Sequence, residues 1–217
     1  MKTENDKDIL ARLEANVGLY QTFFSYLNSY HEAFRILLDQ TKKSNNHIDT
    51  IIYPCLYLVR HSLELGFKVN IKYFSKYSNR TDHINSTSHS LKDLFDAFKL
   101  HVNSTVSELK TKHSIVINKS DLIEFRGYCK DVDKLVNIFD QLDQTSQSFR
   151  YPVDNNNQSV FKNTTKINLL AVEDLFNKSL ILLNFTSSVF GQYTQEIDYI
   201  NELFENELRN SLYPYGY

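Results

Sequence analysis

Breakers are scarce in this chain. Three prolines and five glycines are spread over 217 residues, so the backbone meets few points at which a helix must end. Between those points apolar residues return at steps of three and four. Ile9, Leu10, Leu13, Val17, Tyr20, Phe24, Leu27, Phe34, Leu37 and Leu38 trace one such stripe, which predicts a first helix from about Asp6 to Lys43. The segment KKSNNHID interrupts it. Pro54 suits the first turn of a second helix, where its missing N–H is no loss, and that helix extends to about Tyr77. Ser88 offers an N-cap to a third helix beginning near His89. The stretch from Val102 to Asn118 is ambiguous in pattern and compatible with a short helix. Ser120 caps a fourth helix with Leu122, Phe125, Cys129, Val132, Val136 and Phe139 on its inner face. A long last helix runs from about Asn168 to Leu208, with Gly191 as a place to bend, followed by a flexible tail from about residue 211.

One island is not helical in pattern: SFRYPVDNNNQSVFK. Tyr151 precedes a proline and is pushed towards an extended conformation, and the Asn155–Asn157 run tolerates turn geometry. A β-hairpin pairing Phe149–Val153 with Ser159–Lys162 is expected here. With no internal repeat and no flexible linker, the fold class is all-α. The expected architecture is a bundle of four or five long helices with a small β-hairpin insertion near 149–162, in a single domain over residues 1–217.

Charge narrows the function. Twenty-four cationic residues against twenty-six acidic ones give a net charge of −2, which excludes a broadly basic nucleic-acid coat. Any contact with RNA or a nucleotide must come from a few converging cations. The amino terminus, MKTENDKDIL, has no apolar core of a signal peptide, and no apolar run reaches the roughly 18 residues of a membrane span. A cytoplasmic protein with no membrane partner is expected. Cys55 and Cys129 stand alone and read as packed thiols. His83, His89, His101 and His113 fall on no common helical face, so neither a metal nor another cofactor is expected.

The second helix carries the chemistry. On a helical wheel Tyr57, Arg60, His61, Glu64, Lys68 and Lys72 fall within about 120°, while the remaining arc is almost wholly apolar. Such a helix is surrounded by neighbours on most sides, and Gly66 allows one of them to come close. Arg60, Glu64 and Lys68 at i, i+4 and i+8 make an ion-pair ladder on any exposed helix, worth about 0.2–0.5 kcal/mol per pair. The same stripe also gathers a histidine that exchanges a proton near neutral pH, a forked guanidinium suited to phosphate, and a carboxylate to orient them.

Three blocks in order, LVRHSLELGFK, HSLKDLFDAF and SFRYPVD, resemble a bacterial branch of the HEPN superfamily (higher eukaryote and prokaryote nucleotide-binding). They span about Tyr53 to Asp154. The resemblance implies a helical bundle, frequent dimerisation, a place in phage-defence or toxin–antitoxin systems, and in many members metal-independent RNA cleavage. Ribonuclease members carry Arg, four to six residues, then His on one helix, and no arginine here has that spacing. As an endoribonuclease the chain would use His61 or His89 to remove the ribose 2′-OH proton. Arg60 and Arg150 would stabilise the phosphorane, Glu64 and Asp154 would hold the cations, and Lys68 would add to substrate binding. The catalytic candidates are thus His61, Arg60 and His89; the binding candidates are Glu64, Lys68, Arg150 and Asp154. The partner is RNA or a nucleotide, together with a second copy or a protein of the same operon. The competing reading is a non-catalytic interaction module of a defence complex, assembling through the first and last helices, in which the polar stripe organises the fold.

Overall fold

In the computed structural model, which describes residues 9, 12–19, 21–43, 48–80, 88–143 and 146–212, the described residues form five long helices. These are α1 (Phe23–Lys43), α2 (Ile52–Phe74), α3 (Leu91–Lys112), α4 (Lys119–Leu142) and α5 (Leu169–Leu212). A 3-10 turn, Ile48–Thr50, leads into α2. The bundle is built around α2, which packs on α1, α3 and α5, while α4 closes on α5 and α3. The apolar arc of α2 explains this placement. Cys55, Leu56, Val59, Leu63, Phe67 and Phe74 are all buried.

Gly66 is where the packing is tightest. A Cβ there would run into Leu183 of α5 and sit 3.0 Å from Leu27 of α1, so the absence of a side chain lets two helices approach at one point. Asn70, one turn on, is buried and donates to the carbonyls of Gly66 (2.9 Å) and Leu183 (3.3 Å). Below it, rings of Phe74, Phe98, Phe125 and Phe190 meet edge to face and join α2 to α3, α4 and α5. Cys55 and Cys129 are free thiols, and burial lifts them to about 11 and about 12, so they stay protonated and pack as apolar groups.

Several boundaries differ from the sequence expectation. The first helix does not run unbroken from Asp6. Residues 13–19 are irregular, Gly18 has φ +91°, and Thr22 takes the cap by accepting from the Ser25 amide at 3.0 Å. Leu13 and Val17 keep helical spacing but are exposed, so no tertiary contact rewards continuing the helix. Residues 1–8 and the tail 213–217 lie outside the described residues. Helix α3 is capped by Ser90, which accepts from the Asp93 amide at 3.2 Å, and it continues to Lys112 because Val102, Thr105 and Leu109 are buried. Ser120 lies inside α4, and Asn118 precedes the helix in its place.

No strand forms among the described residues, so the expected hairpin is corrected to a turn closed by a single antiparallel bridge, Val153 to Ser159. Asp154 builds it: its Oδ1 accepts from the amides of Asn156 and Gln158, both at 2.9 Å. Pro152 has no N–H to extend the ladder. On the other side Arg150 and Tyr151 donate to the Gln147 carbonyl within a turn of their own. Phe149 anchors the segment edge-on against Phe139 of α4.

Candidate functional site

The polar stripe of α2 divides into a buried floor and an accessible upper face. Arg60 and Glu64, one turn apart, are only 2% and 3% exposed. Arg60 donates from Nη1 to Glu64 Oε2 at 3.2 Å and from Nη2 to the His89 carbonyl at 2.6 Å. Its Nε lies 3.2 Å from Asp143 Oδ2, at the residue that ends α4. Glu64 in turn accepts at Oε1 from Lys68 Nζ (2.8 Å) and His89 Nδ1 (2.9 Å). Asp143 Oδ1 accepts from the amides of Gln147 and Ser148 at 3.1 and 3.2 Å. One guanidinium therefore joins the middle of α2, the lead-in to α3, and the end of α4 with the loop that carries Arg150.

The electrostatics follow from this enclosure. Burial pushes Arg60 below its ordinary value, and the charges of Asp143 and Glu64 oppose the shift, so the side chain stays cationic between two carboxylates. Burial alone would raise Glu64. Hydrogen bonds from Lys68 and His89 outweigh it and hold the carboxyl below its usual range.

Above the floor lies His61. Its ring stacks on Tyr57 (5.5 Å between centroids, 9° between planes) and meets the edge of Tyr30 from α1 at 4.9 Å. Burial lowers His61 from its ordinary value. Glu64 opposes this, while Arg60, Lys68 and Arg150 add to it. The imidazole is neutral at pH 7, which leaves it able to accept a proton. Arg150 stands over the other part of this face, its guanidinium carbon 5.9 Å from the Tyr57 centroid and 5.6 Å from that of Tyr151. It is held by its own loop, donating from Nε to the Ser146 carbonyl at 3.0 Å.

The structure thus brings together Arg60, His61, Glu64, Lys68, His89 and Arg150 of the residues expected from the sequence. Arg60 sits beneath the accessible surface, with Nη1 and Nη2 donating to Glu64 and the His89 carbonyl and Nε 3.2 Å from Asp143, so it positions the site instead of meeting a ligand. His89 reaches Glu64 while its side chain is 59% exposed. Asp154 takes another role from the one expected: its carboxylate caps the turn at 154–158, and among the described residues its side chain bonds only the backbone of that turn. Asp143 joins the floor from outside the expected set. Nothing in the local pattern QLDQTSQSFR marks it, because its partner is eighty-three positions earlier. His83 lies outside the described residues. Among those residues no group of three or more His, Cys, Asp or Glu is placed to hold a metal ion, and no helix is long and apolar enough to cross a membrane.

Comparison with known family models, with curated proteins and with solved structures gives no match.

Proposed function

We propose that this is a cytoplasmic HEPN-like protein of a bacterial phage-defence or toxin–antitoxin system. In this reading it binds RNA or a nucleotide at the face formed by His61, Tyr57, Arg150 and Lys68. The observation that carries it is the stacking of His61 on Tyr57 with the Arg150 guanidinium beside the same ring. Aromatic rings and cations side by side suit a base and its phosphate, and stacking is worth about 1–3 kcal/mol per base. Tyr151, more than half exposed, supplies a further ring within reach of Arg150. The weak overall charge fits a local anion site and no extended coat.

Metal-independent cleavage is the stronger form of the proposal, favoured by a neutral His61 among cations. His61 would take the ribose 2′-OH proton, and the 2′ oxygen would attack the phosphorus. Arg150 and Lys68 would balance charge on the phosphorane, and the 5′ oxygen would leave with the proton returned by His61, giving a 2′,3′-cyclic phosphate. Arg60, Glu64 and Asp143 would act only by holding these groups in place.

The test is incubation of the purified chain with labelled single-stranded RNA in chelator-containing buffer, followed by binding and product analysis. Binding with cyclic-phosphate ends, lost in His61→Ala, supports the full reading. Binding without cleavage limits it to recognition, and no binding of RNA or nucleotides favours the interaction module.

A further inference from the structure

Past Asp198, α5 runs out of the bundle. Ile197 is buried and Asp198 still accepts from the Tyr77 hydroxyl at 2.8 Å. From Asn201 to Arg209 every residue is exposed. The apolar stripe does not stop where the bundle does. Ile197, Ile200, Phe204 and Leu208 follow at steps of three, four and four, so they line one face. Phe204 is 65% and Leu208 60% exposed. Leu203 and Tyr199 widen this face on one side. Exposed apolar side chains that continue a helical stripe past the packed part of α5 mark a surface for another helix.

Charge selects the occupant. Glu196, Asp198, Glu202, Glu205 and Glu207 fall in the same segment, against Arg209 alone. On the helical wheel Asp198, Glu202 and Glu205 flank the apolar stripe on one side, and Glu196 and Glu207 on the other. A second copy laid along this helix would set carboxylates against carboxylates on both flanks, which costs free energy at every pair. RNA and anionic lipid are repelled by the same five groups. A basic amphipathic helix satisfies both features, with apolar residues on the stripe and Lys or Arg on its edges.

We propose that residues 197–209 of α5 form a docking surface for a basic amphipathic helix of another protein. This surface is separate from the His61–Arg150 face and does not depend on the activity proposed there. The partner's apolar side chains lie against Ile200, Phe204 and Leu208, and its cations pair with the flanking carboxylates.

The probe is a synthetic helical peptide of Leu and Lys heptads, titrated with the 217-residue chain by fluorescence anisotropy, beside a Leu and Glu peptide of the same length. Sedimentation of the chain alone is measured in parallel. The expected result is saturable one-to-one binding of the Lys peptide only, weakened by salt. Binding falls at least about tenfold in Phe204→Ser/Leu208→Ser and in Glu202→Lys/Glu205→Lys. Both double variants change exposed residues, so an unchanged thermal melt shows that the fold is intact. Equal binding of the two peptides, or binding indifferent to either variant, overturns the proposal. Self-association of the chain that disappears in Phe204→Ser/Leu208→Ser also overturns it, since the occupant is then a second copy.

Discussion

Arg60 Nε and Asp143 Oδ2 lie 3.2 Å apart, both side chains almost fully buried, and so the centre of α2 is tied to the last residue before the loop that carries Arg150. This pair, with Glu64, turns an apparent surface ladder into an internal brace. On an exposed helix the Arg60–Glu64 spacing would contribute a few tenths of a kcal/mol. Inside the bundle the energetics are those of a buried charge cluster, in which loss of one member strands the others.

Arg60→Met should therefore destabilise the fold by about 3–5 kcal/mol, because Asp143 and Glu64 lose their shared cation. Urea denaturation of wild type and variant measures it. Arg60→Met/Asp143→Leu should recover part of the loss, since an apolar pair leaves fewer charges buried without a partner. A single variant as stable as wild type would mean that the cluster carries no weight.

Stability should fall as the solution is acidified, in two stages. His61 and His101 both have folded-state values depressed below 6.5, chiefly by burial, with Arg60, Lys68 and Arg150 acting on His61 and Arg80 on His101. The unfolded chain takes up those protons first, so this contribution is present above about pH 6.5 and is lost as pH falls towards the folded values. Glu64 is depressed below 4.5, and its contribution is present above that value and lost below it. Unfolding midpoints measured across this range should decline in both windows. His101→Gln should flatten the upper one. A profile that is level between about pH 7 and pH 5 would contradict the depressed histidines.

Two glycines in helices should respond oppositely to the same change. Gly66→Ala drives a methyl group into Leu183 and towards Leu27, and should cost about 1–3 kcal/mol through overpacking. Gly127, on α4, has nothing within 4 Å of an added Cβ. Gly127→Ala should stabilise by about 0.5–1 kcal/mol through helix propensity. Thermal melts of the two variants decide it, and equal effects would place Gly66 wrongly.

The helices were legible because periodicity reports burial directly. The near-complete apolar arc of α2 read as a central helix, and Gly66 as a point of close approach, and both are found. The same signal overreached at Leu13 and Val17, where apolar spacing continues without a partner surface. It fell short at 102–112, where the buried polar Thr105, with buried His101 just before the stretch, dilutes the pattern of α3. The turn at 154–158 misled for a different reason: strand propensity around Tyr151 and Val153 was outweighed by the Asp154 side chain bonding its own backbone. Within the site, one helix supplied Arg60, His61, Glu64 and Lys68 together, which spacing can reveal. Asp143 and the ring of Tyr30 arrive from other helices, and only tertiary packing brings them there.

Arg150 separates the brace from the face above it. Arg150 is an exposed residue whose guanidinium lies beside Tyr57 and Tyr151, so Arg150→Ala should shift stability by about 1 kcal/mol or less, the scale of an exposed cation–π contact.

The most direct measurement is the affinity of labelled single-stranded RNA for wild type and for Arg150→Ala and His61→Ala, read by anisotropy alongside each protein's melt. Wild type is expected to bind, and both variants to bind at least about tenfold more weakly while remaining folded. RNA bound equally well by all three proteins, or not bound by wild type at all, would contradict it.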